Sequence, residues 1–197
     1  MRKTRSLDAE YFEGLYRGER DPWGFETKPY ETAKYDDTIA ALGQERARNA
    51  LEVGCSIGVL TRRLAPLCRH LLATELSATA LARARERCAD LTHVEFRLAQ
   101  SQTDGFEGCY DLIVLSEVVY YWDAADLERV ATALRTALLP GGRLLLVHWL
   151  GDTDYPRSGD EAVCELAGHL TGCVEVDLRE RRAEYRLDLW RAPSEAS

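Results

Sequence analysis

The sequence predicts an α/β fold. We expect a Rossmann-like, seven-stranded, mostly parallel sheet with helices on both faces, an N-terminal helical cap and a C-terminal antiparallel hairpin. Continuous apolar segments alternate with helical ones from residue 50 onward, which is typical of a parallel sheet covered on both faces. Only Arg182 and Ala183 separate the last two predicted strands, too few residues for a parallel crossover, so these strands must pair antiparallel. A chain of 197 residues is long enough for one domain with a sizeable core.

The first 43 residues predict the helical cap, which we interpret as a lid. Apolar and aromatic residues at helical spacing between 11 and 16 follow Asp8, a suitable N-cap. Residues 18–27 are rich in helix breakers, and Pro29 suits the first turn of a second helix that ends at Gly43.

Residues 44–192 predict the sheet and its covering helices. The strands are expected at 50–53, 70–75, 94–98, 110–116, 143–148, 174–181 and 184–190. The helices are expected at 59–65, from the Ser77 cap to 88, at 123–138 and from an Asp160 cap to 170. The Pro140-Gly141-Gly142 segment predicts a break before the fifth strand, and residues 193–197 predict a disordered tail.

Composition excludes several classes of protein. A formal net charge of -8 disfavours nucleic-acid binding, because no excess of Lys and Arg is available to neutralise phosphates. Six cysteines without a C-x-x-C pair or metal-ligand spacing predict reduced thiols and no metal. No apolar run approaches 18 residues and no signal peptide is present, so we expect a cytoplasmic protein without a membrane partner.

The first predicted strand ends in a glycine loop, Leu51-Glu52-Val53-Gly54-Cys55-Ser56-Ile57-Gly58. Its G-x-x-x-G spacing lacks the middle glycine that lets a dinucleotide pyrophosphate approach closely. The Glu52 carboxylate repels phosphate but tolerates a cationic ligand. S-adenosyl-L-methionine (SAM) carries a sulfonium and an ammonium and no phosphate, so we expect SAM as the cofactor.

Further candidate residues stand at the carboxyl ends of the next strands, where doubly wound sheets bind ligands. Glu75 follows Gly54 by 21 residues, close to the roughly 20 expected for a carboxylate that accepts from ribose hydroxyls. Leu76 suits an adenine face, and Gln100, followed by Ser101, can accept from the adenine amino group. The fourth strand ends at Ser116 and Glu117, before an aromatic rim at 120–122, and the fifth ends at His148.

These segments, taken in order, resemble those of class I SAM-dependent methyltransferases over roughly residues 30–190. The segments D-P-W-G-F-E-T-K-P-Y-E and E-V-V-Y-Y-W resemble more narrowly the nodulation protein S group. That resemblance implies N-methylation of an amino sugar in a chitooligosaccharide, and it places Gly54, Glu75, Gln100 and Glu117 on cofactor-binding positions. Two departures from the group, Gln100 in place of an acidic residue and the segment from His148 onward, indicate that the acceptor can differ.

Several of these residues have a structural alternative. Glu52 either orients the loop or touches the ligand, and Cys55 is expected to pack as a small residue, not to act as a nucleophile. Trp23 either covers the cofactor as part of the lid or fills the core, and Tyr30 either lines the site or packs. His148 is either a general base, with an unperturbed pKa near 6.5, or a packed, hydrogen-bonded histidine. The rim formed by Tyr120, Tyr121 and Trp122 is either a stacking wall or core.

The sequence therefore predicts a SAM-dependent N- or O-methyltransferase for a small-molecule acceptor. The N-terminal helices, the aromatic rim and the loop 152–160 are expected to hold the acceptor in an open cleft, with carboxylates at Asp152, Asp154, Asp160 and Glu161. The acceptor is expected to be an amine or hydroxyl of an amino sugar, oligosaccharide or specialised metabolite. Catalytic roles are assigned to His148, Tyr120 and Glu117. Cofactor binding is assigned to Trp23, Tyr30, Glu52, Gly54, Cys55, Gly58, Glu75, Leu76, Gln100, Ser101, Ser116 and Glu117. A non-catalytic SAM-binding module and an NAD-dependent dehydrogenase are the alternatives, and the oligomeric state is left open.

Overall fold

The structure, a computed structural model, describes residues 2–194. These residues form two compact units. The N-terminal unit is Asp8–Gln100, and the C-terminal unit comprises the described residues before 8 and after 100. The predicted division into a cap at 1–43 and a methyltransferase domain at 44–192 stays a prediction, and of the predicted tail at 193–197, residues 195–197 lie outside the described residues.

The N-terminal unit holds two helices followed by alternating strands and helices. These are α1 (Ala9–Gly18), α2 (Pro29–Leu42), β1 (Ala47–Val53), α3 (Val59–Leu64), a short 3-10 helix (Ala65–Leu67), β2 (Cys68–Glu75), α4 (Ala78–Arg87) and β3 (Val94–Leu98). The Asp8 side chain caps α1 by accepting from the Tyr11 amide, and Pro29 occupies the first turn of α2. Strand β2 pairs in parallel with both β1 and β3.

The C-terminal unit continues the alternation and ends in the hairpin. Its elements are α5 (Ser101–Asp104), β4 (Tyr110–Ser116), a short 3-10 helix (Val119–Tyr121), α6 (Ala124–Ala137), β5 (Leu138–Trp149), α7 (Gly159–His169), β6 (Glu175–Arg181) and β7 (Tyr185–Arg191). Strand β4 pairs in parallel with β5, while β7 pairs antiparallel with both β5 and β6.

The strand order is β3-β2-β1-β4-β5-β7-β6, which confirms the predicted seven-stranded, mostly parallel sheet with a C-terminal antiparallel hairpin. The inner strands β1, β2, β4, β5 and β7 are mostly buried, whereas the edge strands β3 and β6 are more exposed. In the N-terminal unit, for example, Ala73 of β2 and Leu81 of α4 lie in one buried cluster with the thiol-bearing Cys55. The packing predicted for Cys55 is therefore present.

Two local predictions about these elements are wrong, and one short helix was not predicted. The strand β5 runs through the segment 140–142, because a shift of register between Tyr110 and Leu112 lets the pairing with β4 begin already at Leu138. Helix α7 is capped by Ser158, not by Asp160, because Ser158 and Glu161 form a capping box. The four-residue helix α5 was not predicted, since it is too short to show a helical period.

Candidate cofactor and acceptor sites

In the N-terminal unit, parallel pairing brings the glycine loop and Glu75 to the same edge of the sheet. Val53 is the register partner of Thr74, so Gly54 and Glu75 follow at adjacent strand ends. The amides of Gly54 and Cys55 both donate to the Thr74 carbonyl, at 2.8 and 2.9 Å. The convergence of Gly54 and Glu75 on which the predicted site depends is therefore present.

The Glu75 carboxylate is fixed by backbone amides from both sides. Its Oε2 accepts from the Ser56 amide of the glycine loop at 2.8 Å, and its Oε1 accepts from the amides of Leu76 and Ser77 at 2.9 Å each. Burial raises the pKa of Glu75, and the amides of Ser77, Ser56 and Leu76 oppose that rise. A carboxylate has about four acceptor positions, so these three donors leave capacity for a further donor such as a hydroxyl.

A second carboxylate, Glu52, lies buried near the end of β1 with only 1% of its surface exposed. Burial raises its pKa to about 7; the Thr61 hydroxyl opposes the rise and the charge of Glu75 adds to it. Its Oε2 is buried without a hydrogen-bond partner. A nearby positive charge would favour the ionised form of this carboxyl group.

The glycine loop has the backbone conformation that its glycines predict. Gly54 and Gly58 have φ angles of +77° and +80°, values that residues with a Cβ rarely adopt. A Cβ on Gly58 would lie 3.0 Å from the Cα of Ala84, so this glycine also allows α4 to pack closely on the loop. The middle position of the loop is Ser56, at φ +52°. We group Glu52, Gly54, Ser56, Gly58 and Glu75 as the glycine-loop group.

The aromatic residues of the predicted lid pack together. The Trp23 ring is half-buried, stacks on Phe25 at a centroid distance of 5.7 Å and meets Tyr16 edge-on at 5.5 Å. The Lys34 ammonium lies over the Tyr30 ring, 5.2 Å from its centroid. These contacts give both rings a packing role, and their contact with a cofactor stays a prediction.

In the C-terminal unit, Glu117 directly follows β4 in a strained backbone conformation. Its φ of +59° lies in the left-handed region that residues with a Cβ seldom occupy. Its amide donates to the Val147 carbonyl at 2.8 Å, and its Oε2 accepts from the Tyr120 hydroxyl and from the Trp149 amide, the latter at 2.9 Å. Strain held in place by several partners is typical of functional positions.

His148 is completely buried, with 0% of its surface exposed. Its Nε2 lies 3.1 Å from the Val119 amide, which donates to it, so Nε2 is the acceptor nitrogen. The Tyr120 ring meets the imidazole edge-on at 5.3 Å. This arrangement matches the packed, hydrogen-bonded alternative and holds the segment after β4. Direct proton transfer by His148 stays a prediction that this geometry does not favour.

The predicted aromatic rim gains a member from the segment before α7. The Tyr155 ring stacks on Tyr120 at 5.3 Å and meets Tyr121 edge-on at 4.8 Å. Burial, and then the Glu117 carboxylate, raise the pKa of Tyr120 well above its usual value of 10.0, so its hydroxyl keeps its proton. We group Glu117, Tyr120, His148 and Tyr155 as the Glu117 group.

Three of the four carboxylates predicted to line the open cleft, all of them partly or largely exposed, are paired with basic side chains. Asp154 pairs with Lys3, Asp160 with Arg181 and Arg186, and Glu161 with Arg2. The Ser158 amide and hydroxyl, together with Arg2, lower the pKa of Glu161 to about 2. These carboxylates therefore compensate basic side chains and cap a helix, and their contact with an acceptor stays a prediction.

The remaining predicted residues lie at or next to the ends of strands and helices. Leu76 is half-buried directly after Glu75, and Gln100 follows β3, where the Ala99 amide donates to the Glu75 carbonyl at 3.0 Å. Ser101 begins α5, and Ser116 ends β4. Their roles toward a ligand stay predictions.

The sequence interpretation missed Glu13, Tyr16 and Tyr155. Glu13 and Tyr16 lie three residues apart on one face of α1, which the helical spacing shows, but their partners at 56 and 77–79 are set by tertiary structure. Tyr155 lies in an aperiodic segment that offers no such signal.

Residues 2–194 contain neither a candidate membrane span nor a candidate metal site. No helix there combines the length and apolar character needed to cross a membrane. Within the same residues, no three or more His, Cys, Asp or Glu side chains are clustered so that they could hold a metal ion.

Solved structures share this fold. The crystal structure of the N-methyltransferase NodS from Bradyrhizobium japonicum WM9, in complex with S-adenosyl-L-homocysteine (SAH), superposes with a TM-score of 0.82 at 22% identity, covering 95% of this chain and all of that one. A putative methyltransferase from Pseudomonas syringae superposes with a TM-score of 0.71 at 35% identity, covering 83% of this chain and 99% of that one. The fold is that of class I SAM-dependent methyltransferases.

The family within this class is also defined. The model of the nodulation protein S (NodS) family matches residues 15–185, and the chain belongs to that family. Nodulation protein S of Rhizobium tropici is 33% identical over 158 residues, which cover 79% of this chain and 62% of the relative. The chain thus spans less than two thirds of that relative's length.

Proposed function

We propose that this chain is a SAM-dependent N-methyltransferase that acts on the amine of a small polar molecule, such as an amino sugar or an oligosaccharide that contains one. The observation that carries the proposal is the pair of buried carboxylates, Glu52 and Glu75, at a glycine loop without a middle glycine. Family membership and the N-methyltransferase relative support the choice of reaction.

The glycine-loop group fits SAM better than it fits a dinucleotide. Two carboxylates at the loop oppose a pyrophosphate and favour a cationic ligand, and Glu52 Oε2 is buried with no donor bound to it. Glu75 would hold the ribose hydroxyls, because its oxygens have acceptor capacity left. When bound, SAM supplies an electrophilic methyl group on a sulfonium leaving group.

The Glu117 group fits an amine acceptor. The Glu117 carboxylate can accept a hydrogen bond from an acceptor N–H, which orients the nitrogen, and its charge stabilises the positive charge that develops there during transfer. The Tyr120 hydroxyl donates to Glu117 Oε2 and so limits the orientations of this carboxylate. The half-exposed rings of Tyr121 and Tyr155 offer a surface on which a sugar ring can pack.

His148 serves this site as a positioning residue. By accepting from the Val119 amide it fixes the turn between Glu117 and Tyr120. A buried amide without an acceptor costs about 1–3 kcal/mol, so this bond has a substantial effect on the conformation of the turn.

The test is a mass-spectrometric screen of matched amines and alcohols, for example glucosamine and glucose, each incubated with the protein and SAM. We expect a gain of one methylene on the amine and none on the matched alcohol, with formation of SAH. Calorimetric titration with SAH and with NAD accompanies the screen. Binding of SAH without transfer to any acceptor would favour the non-catalytic module, and binding of NAD in place of SAH would favour a dehydrogenase.

A further inference from the structure

Helix α1 contacts the glycine loop through Tyr16. The Tyr16 ring is buried, and its hydroxyl forms a hydrogen bond with the Ser56 hydroxyl. The Ser56 amide in turn donates to Glu75 Oε2 at 2.8 Å. Tyr16 is therefore connected to the Glu75 carboxylate through a single intervening residue.

Through Glu13, the same helix contacts the segment that follows Glu75 in the chain. The Ser77 hydroxyl donates to Glu13 Oε2 at 2.6 Å, and Thr79 donates to the Glu13 carboxylate from its hydroxyl at 2.6 Å and from its amide at 3.1 Å. The Ser77 amide donates to Glu75 Oε1. The Ser77 hydroxyl, then Thr79, lower the pKa of Glu13 to about 2, so this carboxylate is ionised at neutral pH, where it also suits the N-terminus of α4.

These contacts form a closed ring of hydrogen bonds. Through it, α1 is bonded to both segments whose backbone amides donate to Glu75, namely the glycine loop and the segment after β2. The ring passes from Tyr16 through Ser56, Glu75 and Ser77 to Glu13. Arg83 of α4 secures the end of the helix, because its guanidinium donates to the carbonyls of Tyr16, Arg20 and Glu19 at 2.8, 3.0 and 3.2 Å.

We propose that Tyr16 and Glu13 are positioning residues for cofactor binding: they fix the two loops that orient Glu75, so that its carboxylate is set to receive the cofactor ribose. The inference rests on the proposed function, since it assumes that Glu75 binds SAM. Neither residue needs to touch the cofactor. A helix that merely packs on the sheet would affect the stability of the protein without a specific effect on ribose recognition.

The structure supports this role over simple packing because both contacts are polar and directed. Replacing Tyr16 by Phe removes only the hydroxyl and leaves the buried ring in place. Replacing Glu13 by Gln keeps the size of the side chain but removes the charge that three donors from Ser77 and Thr79 share. Both variants therefore perturb the ring of hydrogen bonds with little change in volume.

The experiment is a calorimetric titration of the protein and its variants with SAH. We expect Tyr16→Phe and Glu13→Gln each to weaken SAH binding by about three- to tenfold, the range of one hydrogen bond's net contribution. The matched control is Glu10→Gln on the exposed face of α1, which should leave the dissociation constant unchanged. Thermal unfolding of each variant confirms that the fold is retained.

A double-mutant cycle separates positioning from packing. If Tyr16 and Glu13 act through Glu75, each variant should lose most of its effect on SAH binding when Glu75 is already Gln. Effects that add fully, or SAH affinities of Tyr16→Phe and Glu13→Gln equal to that of the wild type, would overturn the positioning role while leaving the proposed function intact. A wild-type protein that binds no SAH would instead overturn the cofactor assignment, and the positioning role with it.

Discussion

The two groups of site residues are constructed in different ways. In the glycine-loop group, the backbone provides the geometry: positive φ angles fall on Gly54, Ser56 and Gly58, and amides of the chain hold Glu75. In the Glu117 group, side chains provide the geometry, and the positive φ falls on Glu117 itself. A left-handed conformation at a residue with a Cβ costs on the order of 1–3 kcal/mol, so packing must hold Glu117 in place.

This difference predicts which substitutions change cofactor binding and which change acceptor recognition. A site formed by backbone amides recognises a common ligand and tolerates few changes of its glycines. A site formed by packed side chains changes with each substitution, which suits the recognition of a variable acceptor. We therefore expect variants of the first group to alter cofactor binding or stability, and variants of the second to alter turnover.

The largest effect is expected for Glu117→Gln, which sharpens the comparison. Loss of the carboxylate charge should lower kcat by about 100-fold or more, as for other catalytic groups that stabilise developing charge. The dissociation constant of SAH should stay within about twofold, because the backbone-built group is unchanged. Glu128→Gln, at an exposed position of α6 in the same unit, is the control. Weakened SAH binding would instead support the cofactor-binding role that the sequence also assigns to Glu117.

The next effect is on stability and concerns Glu52. Its pKa in the folded protein is raised to about 7 from 4.5, so the fold disfavours its ionised form. The stability that the neutral form provides is present below about pH 4.5 and is lost as the pH rises through about 7. Relative to the wild type, Glu52→Gln should therefore gain up to about 3 kcal/mol of unfolding free energy between pH 4.5 and 8.5, at 1.36 kcal/mol per pKa unit.

Urea unfolding of both proteins at several pH values measures this difference. The comparison of two variants at each pH cancels the titration of the other carboxyl groups. An advantage of Glu52→Gln that does not change with pH would show that Glu52 ionises normally in the fold. In that case its burial would not distinguish the glycine-loop group from an ordinary loop.

A smaller effect is expected for Glu75→Gln. Hydrogen bonds to a charged group contribute about 1.5–3 kcal/mol, so loss of this charge should weaken SAH binding by about 10- to 100-fold. Glu86→Gln, exposed on α4, should bind SAH as the wild type does. An unchanged dissociation constant for Glu75→Gln would remove the ribose assignment and leave the glycine loop alone as the binding element.

The same contrast explains what could be predicted from the sequence. The strands at 94–98 and 110–116 were predicted with the bounds that the structure has, because their apolar runs end at clear turn signals. The glycine loop and Glu75 were predictable because strand ends and glycines fix backbone geometry locally. Backbone-built features are encoded by nearby residues, and a single sequence displays them.

The remaining features depend on contacts between distant residues. The stacking of Tyr155 on Tyr120 and the contact of Glu13 with Ser77 join positions far apart in the chain. Strand β5 begins at Leu138 because of the register shift in its pairing with β4, whereas the local turn signals at 140–142 predict a break there. The burial of His148 was likewise left open, since a histidine at a strand end suits both a base and a packed residue.

The smallest effect, expected for His148, separates these two roles. The Gln side chain can offer its carbonyl oxygen where His148 offers Nε2, so His148→Gln should keep the acceptor for the Val119 amide, whereas His148→Leu removes it. We expect kcat to fall about tenfold in His148→Leu, because the turn that carries Glu117 loses a buried hydrogen bond worth about 1–3 kcal/mol, and to stay within about threefold in His148→Gln. Measurements of kcat against pH for both variants provide the check. An equal, large loss of kcat in both variants, together with loss of the same titration from both pH profiles, would instead indicate that His148 is a general base, although it is fully buried in this structure.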